Sequence, residues 1–316
     1  MARPGRGRGG GRGGGGGRPM IARRQLLAAG MALAASAPRT GRAAPFRRVV
    51  SVGGAMTETV YALGAGDALV AVDSTSLYPP AATSLPQIGY MRAVPPEGIV
   101  SLMPDLVLLS SDAGPPQAVD VLRAAGLRLA VIPDGAAGVE AVSRKIAAIG
   151  EALELGAAAA ALSDAVAADW RLLDAPVAAL PSRPGVLFVL SLDRGVPLVS
   201  GRGSHADALI AAAGGRNLLR DFAGYRPLSP EAAAGLQPDA VVMMEHSLRS
   251  AGGPEAVAAL PGLALTPAGA ARRILSIGST DLAFGPRAAQ ARRKLAVQLH
   301  PERDWPELPA RAWARE

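Results

Sequence analysis

The strongest constraint on this chain is a segment that occurs twice. Pro96-Glu97-Gly98-Ile99-Val100-Ser101-Leu102-Met103-Pro104-Asp105 aligns without a gap on Pro230-Glu231-Ala232-Ala233-Ala234-Gly235-Leu236-Gln237-Pro238-Asp239. A Gly-Tyr pair precedes each copy, in Gly89-Tyr90-Met91-Arg92 and Gly224-Tyr225-Arg226-Pro227, and the pairs align after one deletion. Each copy runs into a short apolar segment, Leu106 to Leu109 and Ala240 to Met243. A repeated unit of tyrosine loop, helix and strand points to a duplicated lobe. The two loops would then face each other across whatever lies between the lobes.

The net charge of +7 misleads about the folded part. Nine of the 33 basic residues and none of the 26 acidic ones lie in residues 1–44, so the rest carries 24 basic against 26 acidic residues. The body of the chain therefore has no basic footprint for nucleic acid. Cysteine is absent, which excludes thiolate metal sites, disulfides and a cysteine nucleophile. Ala22-Arg23-Arg24-Gln25 precedes an apolar run from Leu26 to Ala35, and Ala43 is a small-residue cleavage option. This pattern reads as a signal peptide of the twin-arginine type, with Met20 as the expected start, and its apolar run is too short for a permanent span. The expected domains are a leader over 1–44, an α/β lobe over 45–156, a connecting helix over 157–175, a second α/β lobe over 176–299 and a tail over 300–316.

Periodicity supports that division. Strands are expected at 47–52, 69–72, 106–109 and 127–132, alternating with helices of about ten residues, which indicates a parallel sheet. Asp73 to Tyr90 is a long irregular loop, a length that in a compact domain usually carries function. Val139, Val142, Ile146, Ile149 and Leu153 keep helical spacing, and Leu162, Val166, Trp170 and Leu173 continue it. The alternation restarts with Val186 to Leu190. The fold class is thus α/β, two lobes with parallel sheets joined by one connecting helix.

The inventory of chemical groups is narrow. The three histidines, His205, His246 and His300, lack the short spacing of a metal cage. Gly201-Arg202-Gly203-Ser204 matches neither a phosphate loop nor a dinucleotide fingerprint, and no nucleophile elbow is present, so the chain reads as a binder rather than an enzyme. Tyr90 either packs under a cleft or serves as a phenolate, a hard anionic donor suited to Fe³⁺. Because free tyrosine ionises near pH 10, a phenolate needs the metal or a cation beside it. Arg92, Arg226 or Arg202 could supply that cation, or pair with a carboxylate of the ligand. Glu97 and Glu231 suit the first turn of a helix through the macrodipole, but their duplication also suits a matched pair of acids docking on a basic partner.

Gly53-Gly54-x-x-Thr57-Glu58-x-x-Tyr61-Ala62-Leu63-Gly64-Ala65-Gly66 resembles the haemin-binding substrate-binding proteins of bacterial ABC importers. The likeness continues through Val72-Asp73-Ser74-Thr75-Ser76-Leu77-Tyr78-Pro79-Pro80 and Leu85-Pro86-Gln87-Ile88-Gly89-Tyr90-Met91-Arg92, and spans about 47–300. It implies a periplasmic monomer of two Rossmann-like lobes, bridged by one long connecting helix, that holds haem between them. The axial ligand to the haem iron falls on Tyr90, with Arg92, Tyr225, Arg226, Arg202 and His205 as cleft residues. Glu97 and Glu231 would meet the permease dimer of the inner membrane, and an outer-membrane haem-uptake system would be a further partner. A cobalamin or ferric-siderophore binder of the same fold is the alternative. An exported α/β enzyme or a scaffolding module would share the fold class but not this motif set.

Overall fold

The computed structural model describes residues 46–135, 137–193 and 196–315. The expected leader, signal peptide and Met20 start lie outside the described residues.

The first half is built from β1 (Val49–Val52), α1 (Gly54–Ala62), β2 (Leu69–Val72), α2 (Pro96–Ser101), β3 (Leu106–Ser110), α3 (Pro116–Ala124), β4 (Leu129–Ile132) and α4 (Val139–Ala152). Its four strands form an all-parallel sheet in the order β2-β1-β3-β4. Every residue of β1 and β3 is buried, as expected for parallel strands covered on both faces. Alternation assigns the faces. Val49, Leu106 and Leu108 pack with Met56 and Val60 of α1, whereas Val50, Val52, Val107 and Leu109 pack with Ile99 and Leu122 on the other side.

The second half contains α5 (Gly156–Arg171), α6 (Asp174–Ala178), β5 (Gly185–Asp193), β6 (Val196–Ser200), α7 (His205–Ala212), β7 (Arg216–Asn217), β8 (Tyr225–Pro227), α8 (Pro230–Leu236), β9 (Ala240–Met244), α9 (Glu245–Ser250), α10 (Pro254–Ala258), α11 (Pro267–Ala270), β10 (Ile274–Ile277) and α12 (Ala288–Leu299). Strands run in the order β10-β9-β5-β6-β8, with β7 alongside β5. Here the structure corrects the expectation of a second parallel sheet. β10, β9, β5 and β7 are parallel, but β6 and β8 join antiparallel, so the sheet is mixed. Pro197 inside β6 weakens its strand signal, and three-residue β8 is too short for any period to register. The consequence is local but matters: Tyr225 sits on an edge strand, not on a loop.

The sequence repeat is a structural repeat. Val49 of β1 pairs with Leu106 of β3, and Val186 of β5 pairs with Ala240 of β9. The carboxylate of Asp105 accepts the backbone N–H groups of Arg47 and Arg48, each at 3.0 Å, and Asp239 accepts that of Gly185 at 2.6 Å. Before each aspartate the chain turns through a left-handed residue, Met103 (φ 45°) and Gln237 (φ 48°).

The connection differs in detail from the expected helix over 157–175. α5 ends at Arg171 and packs Ala159, Leu162, Val166 and Trp170 into the core of the second half. It is α4 whose apolar face serves both halves. Val142 and Ile146 join that same core, while Ile149 and Leu153 pack beside α1 and β1. The two helices approach so closely that a Cβ at Gly150 would lie 2.2 Å from that of Ala159, which glycine alone permits. Residues 300–315 run on from α12 with Trp305 buried. No helix among the described residues is long and apolar enough to cross a membrane.

Candidate functional site

The long loop after β2 is ordered because it is stapled at both ends. Asp73 is fully buried, and its carboxylate accepts from the Gly53 amide (2.9 Å), the Thr75 amide and hydroxyl (3.1 and 2.7 Å) and the Ser76 hydroxyl (2.9 Å). A carboxylate with four donors in a dry site is a strong local anchor. At the far end the Ile88 amide donates to Val72 O and the Ser74 amide to Gly89 O. Gly89 (φ 97°) then turns the chain, a conformation that other residues rarely adopt, and delivers Tyr90 to the start of a 3₁₀ turn over Met91–Ala93. Tyr90 is 49% exposed, and its hydroxyl makes no hydrogen bond among the described residues. Arg92 reaches Asp112 at 3.5 Å, an exposed pair that holds it only weakly.

The second half presents its own Gly-Tyr pair, again behind a left-handed glycine, Gly224 (φ 75°). Ser204 caps α7 by accepting from the Asp207 amide at 3.1 Å. Partial burial pushes the Tyr225 phenol above its ordinary value, while the Ser204 hydroxyl, the Ala206 amide and the positive charge of Arg92 all pull it back down. The Tyr225 phenol thus answers to groups at the start of α7 and to the charge of an arginine from the opposite half. Tyr90 and Arg92 belong to the first half and Tyr225 to the second, and the charge of Arg92 is felt at Tyr225.

The other candidates divide. His205 contacts the first half directly. Its Nε2 lies 3.1 Å from Asp134 O, and since a carbonyl only accepts, Nε2 must carry the proton. Its ring lies 5.4 Å from that of Phe284, so the imidazole is part of the lobe junction, with Nδ1 left as its other polar atom. Arg226 follows Tyr225 on β8 and so points to the other face of the sheet, where it stacks 3.7 Å over Phe222 and pairs with Asp221 at 3.0 Å. Arg202 is exposed and donates to Arg220 O at 3.1 Å. Glu97 and Glu231 occupy the same place in α2 and α8, both exposed in the first turn after a proline. The Glu231 carboxyl is held below its ordinary value by its own amide and by Ser229.

Sequence reading missed the charged junction beneath the cleft. Lys145 of α4 is 1% exposed, forms an ion pair with Asp134 and donates to the carbonyls of Ala283 (3.0 Å) and Phe284 (3.2 Å). Asp134 also accepts from the Ser110 hydroxyl at 2.7 Å. Glu58 of α1 accepts from the Arg287 amide at 2.9 Å and its guanidinium at 3.3 Å. Burial raises the Glu58 carboxyl, against the pull of Arg287 and Lys145. The signal was faint: one lysine in the buried face of α4, and one glutamate in α1 whose partner Arg287 lies 229 residues away.

With this geometry in place, the comparisons are direct. The family model of the periplasmic binding proteins matches residues 49–280, and the chain belongs to that family. Its fold is that of solved periplasmic haem-binding proteins. The structure of BhuT in complex with two haems is 40% identical, with a TM-score of 0.75, over 80% of this chain and 98% of that one. Apo RhuT from Roseiflexus sp. RS-1 is 37% identical, with a TM-score of 0.77, over 81% of this chain and 98% of that one. The vitamin B12-binding protein of Vibrio vulnificus (strain YJ016) is 36% identical over 88 residues, 28% of this chain, and the chain spans only 32% of that relative's length.

Proposed function

We propose that this protein binds haem in the cleft between its lobes and delivers it to an ABC importer of the inner membrane. The observation that carries the reading is the near full-length likeness to solved haem-binding proteins, combined with an exposed, unbonded tyrosine at the matching motif. Tyr90 is the axial ligand. Among the described residues its hydroxyl has no hydrogen-bond partner to give up, and its loop is fixed from below by Asp73. A ferric ion at the phenol oxygen would favour the phenolate, and Arg92 two residues on adds a second positive charge. Among the described residues no three His, Cys, Asp or Glu side chains gather as metal ligands, so a lone phenolate suits iron already held by a porphyrin better than a bare ion.

Arg92 and Tyr225 flank the opening and suit the carboxylates of the ligand, Arg92 through its weakly held guanidinium. His205 supports the cleft by joining the lobes, while Arg202 and Arg226 stand at its margin or behind its sheet. Glu97 and Glu231 are the docking pair, one per lobe, for a permease dimer. Haemin titration followed in the Soret region tests the assignment. Wild type should give the spectrum of a tyrosine-ligated ferric haem, and Tyr90→Ala should lose it. An unchanged spectrum and affinity in Tyr90→Ala would remove Tyr90 as the ligand.

The vitamin B12-binding relatives favour one second reading, a corrinoid ligand in the same cleft. Titration with cobalamin separates the two, because a corrinoid presents no vacant ferric position to a phenolate.

A further inference from the structure

The tail after α12 had no reading in the sequence, and its contacts suggest one. It leaves α12 anchored to the second half: the Arg293 guanidinium donates to Pro306 O at 2.8 Å and pairs with Glu307, and the Trp305 indole donates to His300 O at 3.2 Å. Farther on, Arg311 grips the carboxylate of Asp169 on α5 with two bonds, at 3.0 and 2.6 Å, and Asp169 is buried. The tail then reaches the first half. The Tyr78 hydroxyl, in the loop that ends at Tyr90, lies 2.9 Å from Trp313 O and 2.7 Å from Arg315 O, so its proton is shared between two tail carbonyls. The ring of Tyr78 is covered by the Arg287 guanidinium at 3.5 Å, the same group that pairs with Glu58 of α1. Tail, ligand-loop tyrosine, second-half arginine and first-half glutamate thus form one continuous stack across the junction.

We propose that residues 300–315 are an interlobe strap: by clasping Tyr78 they tie the second lobe to the loop of residues 73–90 and hold that loop, and Tyr90 at its end, in one position. Tyr78 is accordingly a positioning residue rather than a ligand. A bidentate arginine on a buried carboxylate is the rigid part of the strap, and the shared hydroxyl is its releasable end. None of the strap's residues is among those assigned to the ligand, so its test does not depend on what the cleft binds.

Hydrogen exchange on the ligand-free protein tests it separately from the haem reading. Tyr78→Phe keeps the ring over Arg287 and removes only the hydroxyl. Amides of residues 73–84 and 311–315 should then exchange about fivefold faster, the effect of one lost neutral hydrogen bond, while β3 and β9 stay unchanged. A chain ending at Leu308 should loosen residues 73–84 more than Tyr78→Phe does. If that truncation instead loosens the sheets as well, Tyr78→Phe alone decides. Unchanged exchange of residues 73–84 and 311–315 in Tyr78→Phe overturns the strap.

Discussion

The two copies of the repeat diverge in an orderly way. From the helix onward they are geometric duplicates: a proline-glutamate first turn, a left-handed residue, an aspartate holding the neighbouring strand, then a buried parallel strand. Ahead of the helix they part. Gly89 delivers Tyr90 exposed to the start of a 3₁₀ turn, whereas Gly224 leads Tyr225 into an edge strand where the charge of Arg92 is felt. The copies agree in what holds a strand and faces outward, and differ where the ligand is proposed to sit. The difference teaches that sequence symmetry in this chain marks scaffold and the proposed docking pair, while the break in symmetry coincides with the proposed site.

The largest effect expected from that comparison is on binding. Removing an outer-shell partner of a metal site costs roughly 10–100-fold in affinity, and removing the ligand itself should cost more. Tyr90→Ala should therefore weaken haemin binding by more than about a hundredfold, while Tyr225→Phe, which keeps the ring, should weaken it by about tenfold or less. Equal losses in the two variants, measured by Soret titration, would break the proposed asymmetry. Glu97→Ala and Glu231→Ala probe the symmetric half. Each should slow association with the permease and reduce its salt dependence, with the double variant losing more than either single one and haemin affinity unchanged. A single variant that abolishes transport while the other has no effect would show that the pair does not act as a pair.

Next in size are the aspartates. Asp105→Ala and Asp239→Ala each remove charge-assisted bonds to backbone amides, worth about 1.5–3 kcal/mol before discounting for exposure. Both should lower the melting temperature by a few degrees, roughly 2–4 °C per kcal/mol in a protein of this size. A large drop for one and none for the other would mean that the repeat is only a resemblance of shape.

How much of this could be read from the sequence follows from the range of the forces involved. The strands with continuous apolar runs, such as Leu106 to Leu109, and the helices with clear spacing were legible because their signal is local. The duplicated turn was legible because it recurs. β6 and β8 were not, since a proline and a three-residue length erase the period, and with them went the true setting of Tyr225. The pairing of Lys145 with Asp134 and of Glu58 with Arg287 could not be read either, because neither separation is one that a helix or strand period brings together. Tyr78 appeared only as part of the family likeness; its grip on the tail, 235 residues away, is purely tertiary.

The smallest effect is the most direct test of equivalence between the copies. Met103 and Gln237 hold left-handed conformations at φ 45° and 48°, where a side chain costs about 1–2 kcal/mol that glycine avoids. Glycine gives part of that back through the greater freedom of its unfolded chain, about 0.5–1 kcal/mol. Met103 is exposed, so Met103→Gly loses little packing and should stabilise the fold by about 0.5–1 kcal/mol. Gln237→Gly should gain less, because the Gln237 amide donates to Ala234 O at 2.6 Å and that exposed bond would be lost. Urea midpoints at unchanged slope measure both. A destabilised Met103→Gly would mean that its side chain does work in the first lobe that the second lobe does not require, and the geometric match would then hide a difference in role.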